Sequence, residues 1–298
     1  RRWIHHAVTD EEAGYTVEEI LTGPMQISRR MVQRLTRARG IMLNGKPPFL
    51  ARKARSGDKV SAKVAAPEEP TLPAVELPLR ILYEDGDLIV VDKASGMLVH
   101  PTAEHHTRTL AHGLAHHFAR SGLDAKVRPV HRVDRDTSGA VVIAKSAFAH
   151  QHLDRQLREG RLERSYVAVV EGQVADEEGT IDAPIGKSRS NPNLRAVVKG
   201  AQEARTHFKV LERLDAVTTV ALTLATGRTH QIRVHMAHVG HPLVGDRAYG
   251  GGKVIRFPRP ALHSQRISLE QPRSGEQINV EARVAEDIHA LLDRLRTR

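Results

Sequence analysis

Two polar clusters in the sequence combine residue types in a way that ordinary turns do not explain. The first is His131-Arg132-Val133-Asp134-Arg135-Asp136-Thr137-Ser138-Gly139, followed at once by an apolar run, AVVIAK. A loop that interleaves two acids with two arginines before a core strand suits a carboxylate kept ionised, because a guanidinium nearby favours the charged form. Turn chemistry accounts for Asp136 to Gly139 but leaves His-Arg-x-Asp unexplained. A kinase catalytic loop is excluded, since Val133 interrupts His-Arg-Asp and no asparagine follows at the required spacing. The second cluster is Gly227-Arg228-Thr229-His230-Gln231-Ile232-Arg233-Val234-His235. Thr229 is expected to cap a helix that buries Ile232, Met236 or His235, and Val239, leaving Arg228 at a sheet edge within reach of a carboxylate from another strand. Tyr166, one of four tyrosines, opens a strand in Arg164-Ser165-Tyr166; such a residue is more often core than a stacking platform.

Composition narrows the chemistry. Lys and Arg number 45 against 35 Asp and Glu, a formal net charge of +10, which favours polyanionic partners through counterion release. The absence of cysteine excludes disulfides, thiolate metal sites and a cysteine nucleophile. No apolar run has the length of a membrane span, so a soluble, cytoplasmic chain is expected.

Three segments are expected. Residues 12–64 form a small α/β module, residues 65–78 (AAPEEPTLPAVELP) a proline-bearing linker, and residues 79–298 a larger domain. In the module, Thr16-Val17-Glu18-Glu19 fits a capping box. Ser28 is expected to start a second helix that runs to Arg39, with Gly40 ending it in the left-handed region. That helix carries Arg29, Arg30, Arg34, Arg37 and Arg39 around a Met31-Val32-Leu35 face. Arginines in a first turn oppose the macrodipole, so phosphate binding is the natural reason for them. Gly40-x4-Gly45-Lys46 imitates a phosphate-binding loop, but Pro47 has no hydroxyl for magnesium and the intervening residues read as a strand. In the larger domain many strands alternate irregularly with helices, near 108–119, 146–159, 230–239 and 285–297. This implies an α+β fold with a mixed sheet.

At these residues the chain resembles the RluA-type pseudouridine synthases. YEDGDLIVVDKASGMLVHP, HRVDRDTSGAVVIAK, RSYVAVVEG, GRTHQIRVHMAHVGHPLVGDRAYG and LHSQRISL occur in that family's order, over about residues 80 to 270. ISRRMVQRLTRARGIMLNGKP followed by SGDKV resembles the alpha-L RNA-binding module of a ribosomal small-subunit protein. The resemblance implies a largely antiparallel central sheet flanked by helices, and isomerisation of uridine in structured RNA, with large-subunit ribosomal RNA favoured over transfer RNA. Matched to the family's motifs, Asp134 is the catalytic aspartate, Arg228 the arginine that pairs with it and Tyr166 the tyrosine that stacks on the base. Arg132 contacts RNA and Ile232 lines the pocket, while Arg29, Arg30, Arg34, Arg37 and Lys46 bind RNA from the module. Where the family usually has Lys-Pro-Ser-Gly, this chain has Lys93-Ala94-Ser95-Gly96. No cofactor or metal is expected, because the isomerisation neither oxidises nor releases anything, and a monomer is expected.

Two other readings compete. The 18 histidines, with His112, His116 and His117 close together and His235, His238 and His241 every third residue, invite a metal-dependent nuclease or phosphodiesterase. No His-Glu-x-x-His is present to support it. A non-catalytic RNA-binding protein would require the loss of Asp134 or Arg228, and both are present.

Overall fold

The computed structural model describes residues 3–65 and 67–297. The first strand, β1 (Ile4–Ala7), precedes the module's expected start at residue 12. It pairs with β3 (Lys59–Ala62), which also pairs with β2 (Ile41–Leu43), giving a three-stranded antiparallel sheet. Helices α1 (Val17–Thr22) and α2 (Arg29–Arg37) pack on it through Val17, Ile20, Leu21, Met31, Val32 and Leu35. The Thr16–Glu19 capping box is present, with Glu19 Oε2 accepting from the Thr16 amide at 2.7 Å. Ser28 caps α2 as expected, but Arg39, not Gly40, takes the left-handed conformation (φ 50°). At Gly40 a Cβ would lie a tight 3.2 Å from Leu35 Cδ2, and the Gly40 amide donates to the Leu35 carbonyl at 2.8 Å. Gly45-Lys46 belongs to a tight turn after β2, with Asn44 and Gly45 both at positive φ, a two-residue hairpin geometry.

Residues 67–78 contain no helix or strand, yet they are tied down. Glu68 accepts from Arg128 at 2.6 Å and from Arg34 at 3.3 Å, and its amide donates to Asp124.

The rest of the chain supplies β4 (Arg80–Glu84), β5 (Leu88–Lys93), α3 (Leu110–Arg120), β6 (Arg128–Pro129), β7 (Ser138–Ala144), α4 (Ala147–Arg158) and β8 (Glu163–Glu171). There follow β9 (Glu178–Asp182), a separate hairpin of β10 (Ile185–Lys187) and β11 (Arg195–Val197), β12 (Arg205–Leu214), β13 (Val217–Leu224) and α5 (Gln231–His238). The chain ends with β14 (Leu262–Glu270), β15 (Gln277–Glu281) and α6 (Glu286–Arg296). Ten of these strands form one sheet, ordered β4-β5-β7-β14-β8-β13-β12-β9, with β15 beside β14 and β6 beside β7. Only the β14–β7 pairing is parallel, so the fold is α+β with a largely antiparallel sheet.

The central strands are buried on both faces, which is why Leu88-Ile89-Val90-Val91 and Ala140-Val141-Val142-Ile143 are continuous apolar runs instead of alternating ones. Burying each large aliphatic side chain stabilises by about 1.5–3 kcal/mol. Residues from α3, β5, β7, β8, β13 and α5 share one cluster, and α4 packs against the other face through Ala149 and Leu153. The opposite side of α4 meets the module: Phe148 enters the module's core, Gln151 accepts from the Ser28 amide at 3.1 Å, and Arg155 donates to Gln26 Oε1.

Candidate active site

Asp134 lies in the loop that leads into β7, and the backbone explains how that loop is held. Gly139 has φ +107°, and a Cβ on it would come within 2.1 Å of the Ser264 carbonyl, so only glycine lets β7 approach β14 here. Thr137 N donates back to the Asp134 carbonyl at 3.1 Å. From below, Lys93 Nζ donates to the carbonyls of Ala94 (2.8 Å), Met97 (2.8 Å) and Arg135 (3.0 Å). Lys93 is 1% exposed, and burial pulls its pKa down to about 7. Ser95 Oγ and Arg259 Nη1 both donate to the Asp136 carbonyl, at 2.9 and 3.1 Å. The alanine at position 94 therefore does not disturb the bonds that Lys93 and Ser95 make to the loop.

Arg233, from α5, is the guanidinium that reaches Asp134, with Nη1 3.3 Å from Oδ2. Its other face is gripped by Asp246, which is 1% exposed and accepts from Nε at 2.6 Å and from Nη2 at 2.8 Å. Burial opposes the charge on Arg233, but the bonds to Asp246 and the field of Asp134 outweigh it and hold the guanidinium protonated. Asp246 is presented by Gly245 at φ +78°, where a Cβ would strike the Arg259 carbonyl at 2.2 Å.

The expected pairing of Arg228 with Asp134 is corrected by this geometry. Arg228 Nε donates to the Glu203 carbonyl at 2.9 Å, and its side chain borders the recess without bonding to Asp134. The start of α5 explains the difference. Thr229 does not cap the helix; His230 occupies the cap position in the left-handed region (φ 58°, ψ 20°). Gln231 Oε1 accepts from the Arg228 amide at 2.9 Å, and its amide group donates to Arg205 O and Thr206 Oγ1, so the turn is set by Gln231. The helix axis then presents Arg233, two residues further on, to Asp134.

The remaining expected residues fall as follows. Tyr166 on β8 is 4% exposed and belongs to the core, and its ring also walls the recess beside Asp134. Burial raises its pKa, so the phenol stays protonated. Ile232 is 4% exposed in the same wall, and Val239, expected to be buried, is 42% exposed because α5 has ended before it. Arg132 is exposed and lines both the recess and an adjoining cavity of about 300 Å³ with Asp134, His230 and Arg233. Arg29, Arg30, Arg34, Arg37 and Lys46 are exposed in the N-terminal module and form no part of this cavity. His131 is not in the cavity either: its Nε2 accepts from the Val142 amide at 3.1 Å, and burial lowers its pKa to about 3. His235 bonds to Thr206 Oγ1 and Ala183 O, and His112 to Thr109 Oγ1. Among the described residues no three His, Asp or Glu side chains converge as a metal site would need.

Four participants had no role assigned from sequence: Arg233, Asp246, His230 and Tyr249. Tyr249 Oη lies 2.7 Å from His230 Nδ1, and its ring lies under the Arg233 guanidinium at 4.8 Å. The signal available was the pair of acid and tyrosine in GDRAYG, following the arginine-bearing helix at a distance one turn of chain can span.

The site thus sets a carboxylate at the floor of a cleft, paired with a fixed arginine and walled by an aromatic and an aliphatic side chain. The chain belongs to the RNA pseudouridylate synthase family, whose model matches residues 87–238. It is an RNA pseudouridine synthase. Among its relatives, "Uncharacterized RNA pseudouridine synthase YlyB" of Bacillus subtilis is 43% identical over 272 residues, 90% of each chain. "Ribosomal large subunit pseudouridine synthase D" of Pseudomonas aeruginosa is 42% identical over 236 residues, covering 75% of this chain and 73% of that protein. Among solved structures, Human RNA Pseudouridylate Synthase Domain Containing 1 is similar with a TM-score of 0.59 and 27% identity, covering 76% of this chain and 98% of that one.

Proposed function

We propose that Asp134 is the nucleophile of uridine isomerisation in structured RNA, most specifically in large-subunit ribosomal RNA. The carrying observation is the Asp134–Arg233–Asp246 arrangement at the floor of the cleft: an exposed-edge carboxylate with a charged partner that is itself locked. The net reaction exchanges the N1–C1′ bond for a C5–C1′ bond, with one proton lost from C5 and one gained at N1. Carboxylate nucleophilic catalysis suffices for this, with no redox group. A base stacked in RNA must be extruded first, at a cost of a few kcal/mol, and the Tyr166 ring and Ile232 give it an apolar wall to rest on. Arg132 at the cleft mouth meets the backbone left by the flipped nucleotide. The N-terminal module is read as a second RNA-binding surface, through Arg29, Arg30, Arg34, Arg37 and Lys46. The preference for ribosomal RNA rests on relatives described as ribosomal large subunit pseudouridine synthase D.

The test is Asp134→Asn in purified protein, with carbodiimide-dependent mapping of pseudouridine in ribosomal RNA from cells lacking the gene. The variant is expected to bind RNA normally and to form no pseudouridine. Isomerisation by the variant would remove Asp134 from its role, and an unchanged cellular map would move the substrate away from ribosomal RNA.

A further inference from the structure

Beside Asp134 stands a side chain that the chemistry above does not use. His230 lies in the lining of both the recess and the larger cavity, and its Nε2 is 3.9 Å from Asp134 Oδ2. It holds a left-handed backbone, φ 58°, which an L residue with a Cβ adopts only when its surroundings impose it. The other ring nitrogen, Nδ1, is 2.7 Å from Tyr249 Oη.

The direction of that bond follows from counting hydrogens. Tyr249 Oη already accepts from the backbone amide of Arg195, at 2.9 Å, where β11 begins. Its own proton needs an acceptor, and among the described residues the hydrogen bonds of Oη run only to Arg195 N and His230 Nδ1. The arrangement that satisfies both groups within the protein has Tyr249 donating to an unprotonated Nδ1, which places the ring's single proton on Nε2, facing the carboxylate. Burial, the largest influence on each, keeps Tyr249 a phenol and His230 a neutral imidazole. On this basis, which rests on Asp134 being the nucleophile, we infer that His230 is a positioning residue for Asp134: Tyr249 locks it as an Nε2–H donor, and that donor closes on the carboxylate when RNA fills the cleft.

The geometry gives Asp134 two donors from one helix start. Arg233 comes from inside α5 and is anchored by Asp246; His230 comes from the cap and is anchored by Tyr249. The same tyrosine ring lies under the Arg233 guanidinium, so one residue steadies both. At 3.9 Å the histidine is beyond hydrogen-bond reach, and free enzymes commonly hold such pairs long until substrate arrives. Two donors from different directions fix the rotation of a carboxylate that a single one leaves free to swing. The link from β11 through Tyr249 also gives the β10–β11 hairpin a mechanical connection to the nucleophile.

Two measurements test the inference, one of them without turnover. In protein labelled with ¹⁵N-histidine, the His230 signals are expected to show Nδ1 as the bare nitrogen and Nε2 as the protonated one, with that preference lost in Tyr249→Phe. In single-turnover assays at saturating RNA, His230→Ala is expected to slow isomerisation about 10- to 100-fold, the scale of one hydrogen bond to a charged group, with RNA affinity unchanged. His230→Gln keeps an N–H where Nε2 stands and is expected to recover most of that rate. A protonated Nδ1 in the wild type, a wild-type rate in His230→Ala, or a His230→Gln variant as slow as His230→Ala would each overturn it. A failure of the Asp134 reading would show separately, as isomerisation by Asp134→Asn with the histidine tautomer as expected.

Discussion

Replacing Arg233 by glutamine separates the arginine that the structure joins to Asp134 from the one that motif matching chose. Two effects follow, and they differ in kind. Asp246 is 1% exposed and takes two hydrogen bonds from Arg233; without them it becomes a buried carboxylate with its charged partner gone. Breaking a buried pair on one side typically costs about 3–5 kcal/mol. At about 2–4 °C per kcal/mol for a domain of this size, Tm should fall by roughly 6–20 °C. Independently, Asp134 loses its charge-assisted partner, worth about 1.5–3 kcal/mol, or about 10- to 100-fold in the chemical step. The double variant Arg233→Gln/Asp246→Asn removes the orphaned charge and should recover much of the stability while leaving the rate depressed. Arg228→Gln, whose side chain among the described residues bonds only a backbone carbonyl, should affect the rate much less. Thermal melts and single-turnover rates at saturating RNA measure both. If Arg233→Gln works at close to the wild-type rate while Arg228→Gln is inactive, the assignment of the pair to Arg233 is wrong.

Two further predictions concern binding and acid stability. Among the α2 arginines only Arg34 pairs with a carboxylate among the described residues, so Arg29→Ala/Arg30→Ala/Arg37→Ala should weaken RNA binding and flatten its dependence on log salt by about 0.7–0.9 for each phosphate no longer neutralised. An unchanged slope would place the RNA elsewhere. His131 has a folded pKa of about 3, below the ordinary value of 6.5, so the unfolded chain binds the proton first. Its contribution is present above pH 6.5 and is lost as pH falls towards 3, at up to about 1.4 kcal/mol per pH unit. His131→Gln should be less stable at pH 7 but lose less stability between pH 6.5 and 4.5 in urea melts; equal slopes would refute the assignment.

Much of this molecule could be read from local pattern. The continuous apolar runs of β5 and β7, the capping box at Thr16, the Met31-Val32-Leu35 face and the placing of Asp134 before a core strand all depend on residues within a few positions of one another. The motif order identified the enzyme class, because several short segments with distinct residue types had to occur together. What local pattern could not supply was pairing across distance. The strand at Ile4–Ala7 is too short and mixed to declare itself, and exists because β3 offers it an edge. The choice between Arg228 and Arg233 turned on Gln231, whose side chain reached back to residue 228 and across to β12, rotating the helix start away from the cap that Thr229 would have made. Asp246 and Tyr249 entered the site only through the close packing that Gly245 permits. A sequence specifies which side chains can carry charge, hydrogen bonds or apolar surface; which of two nearby arginines meets a carboxylate is a matter of a few ångströms, and those are set when distant segments pack.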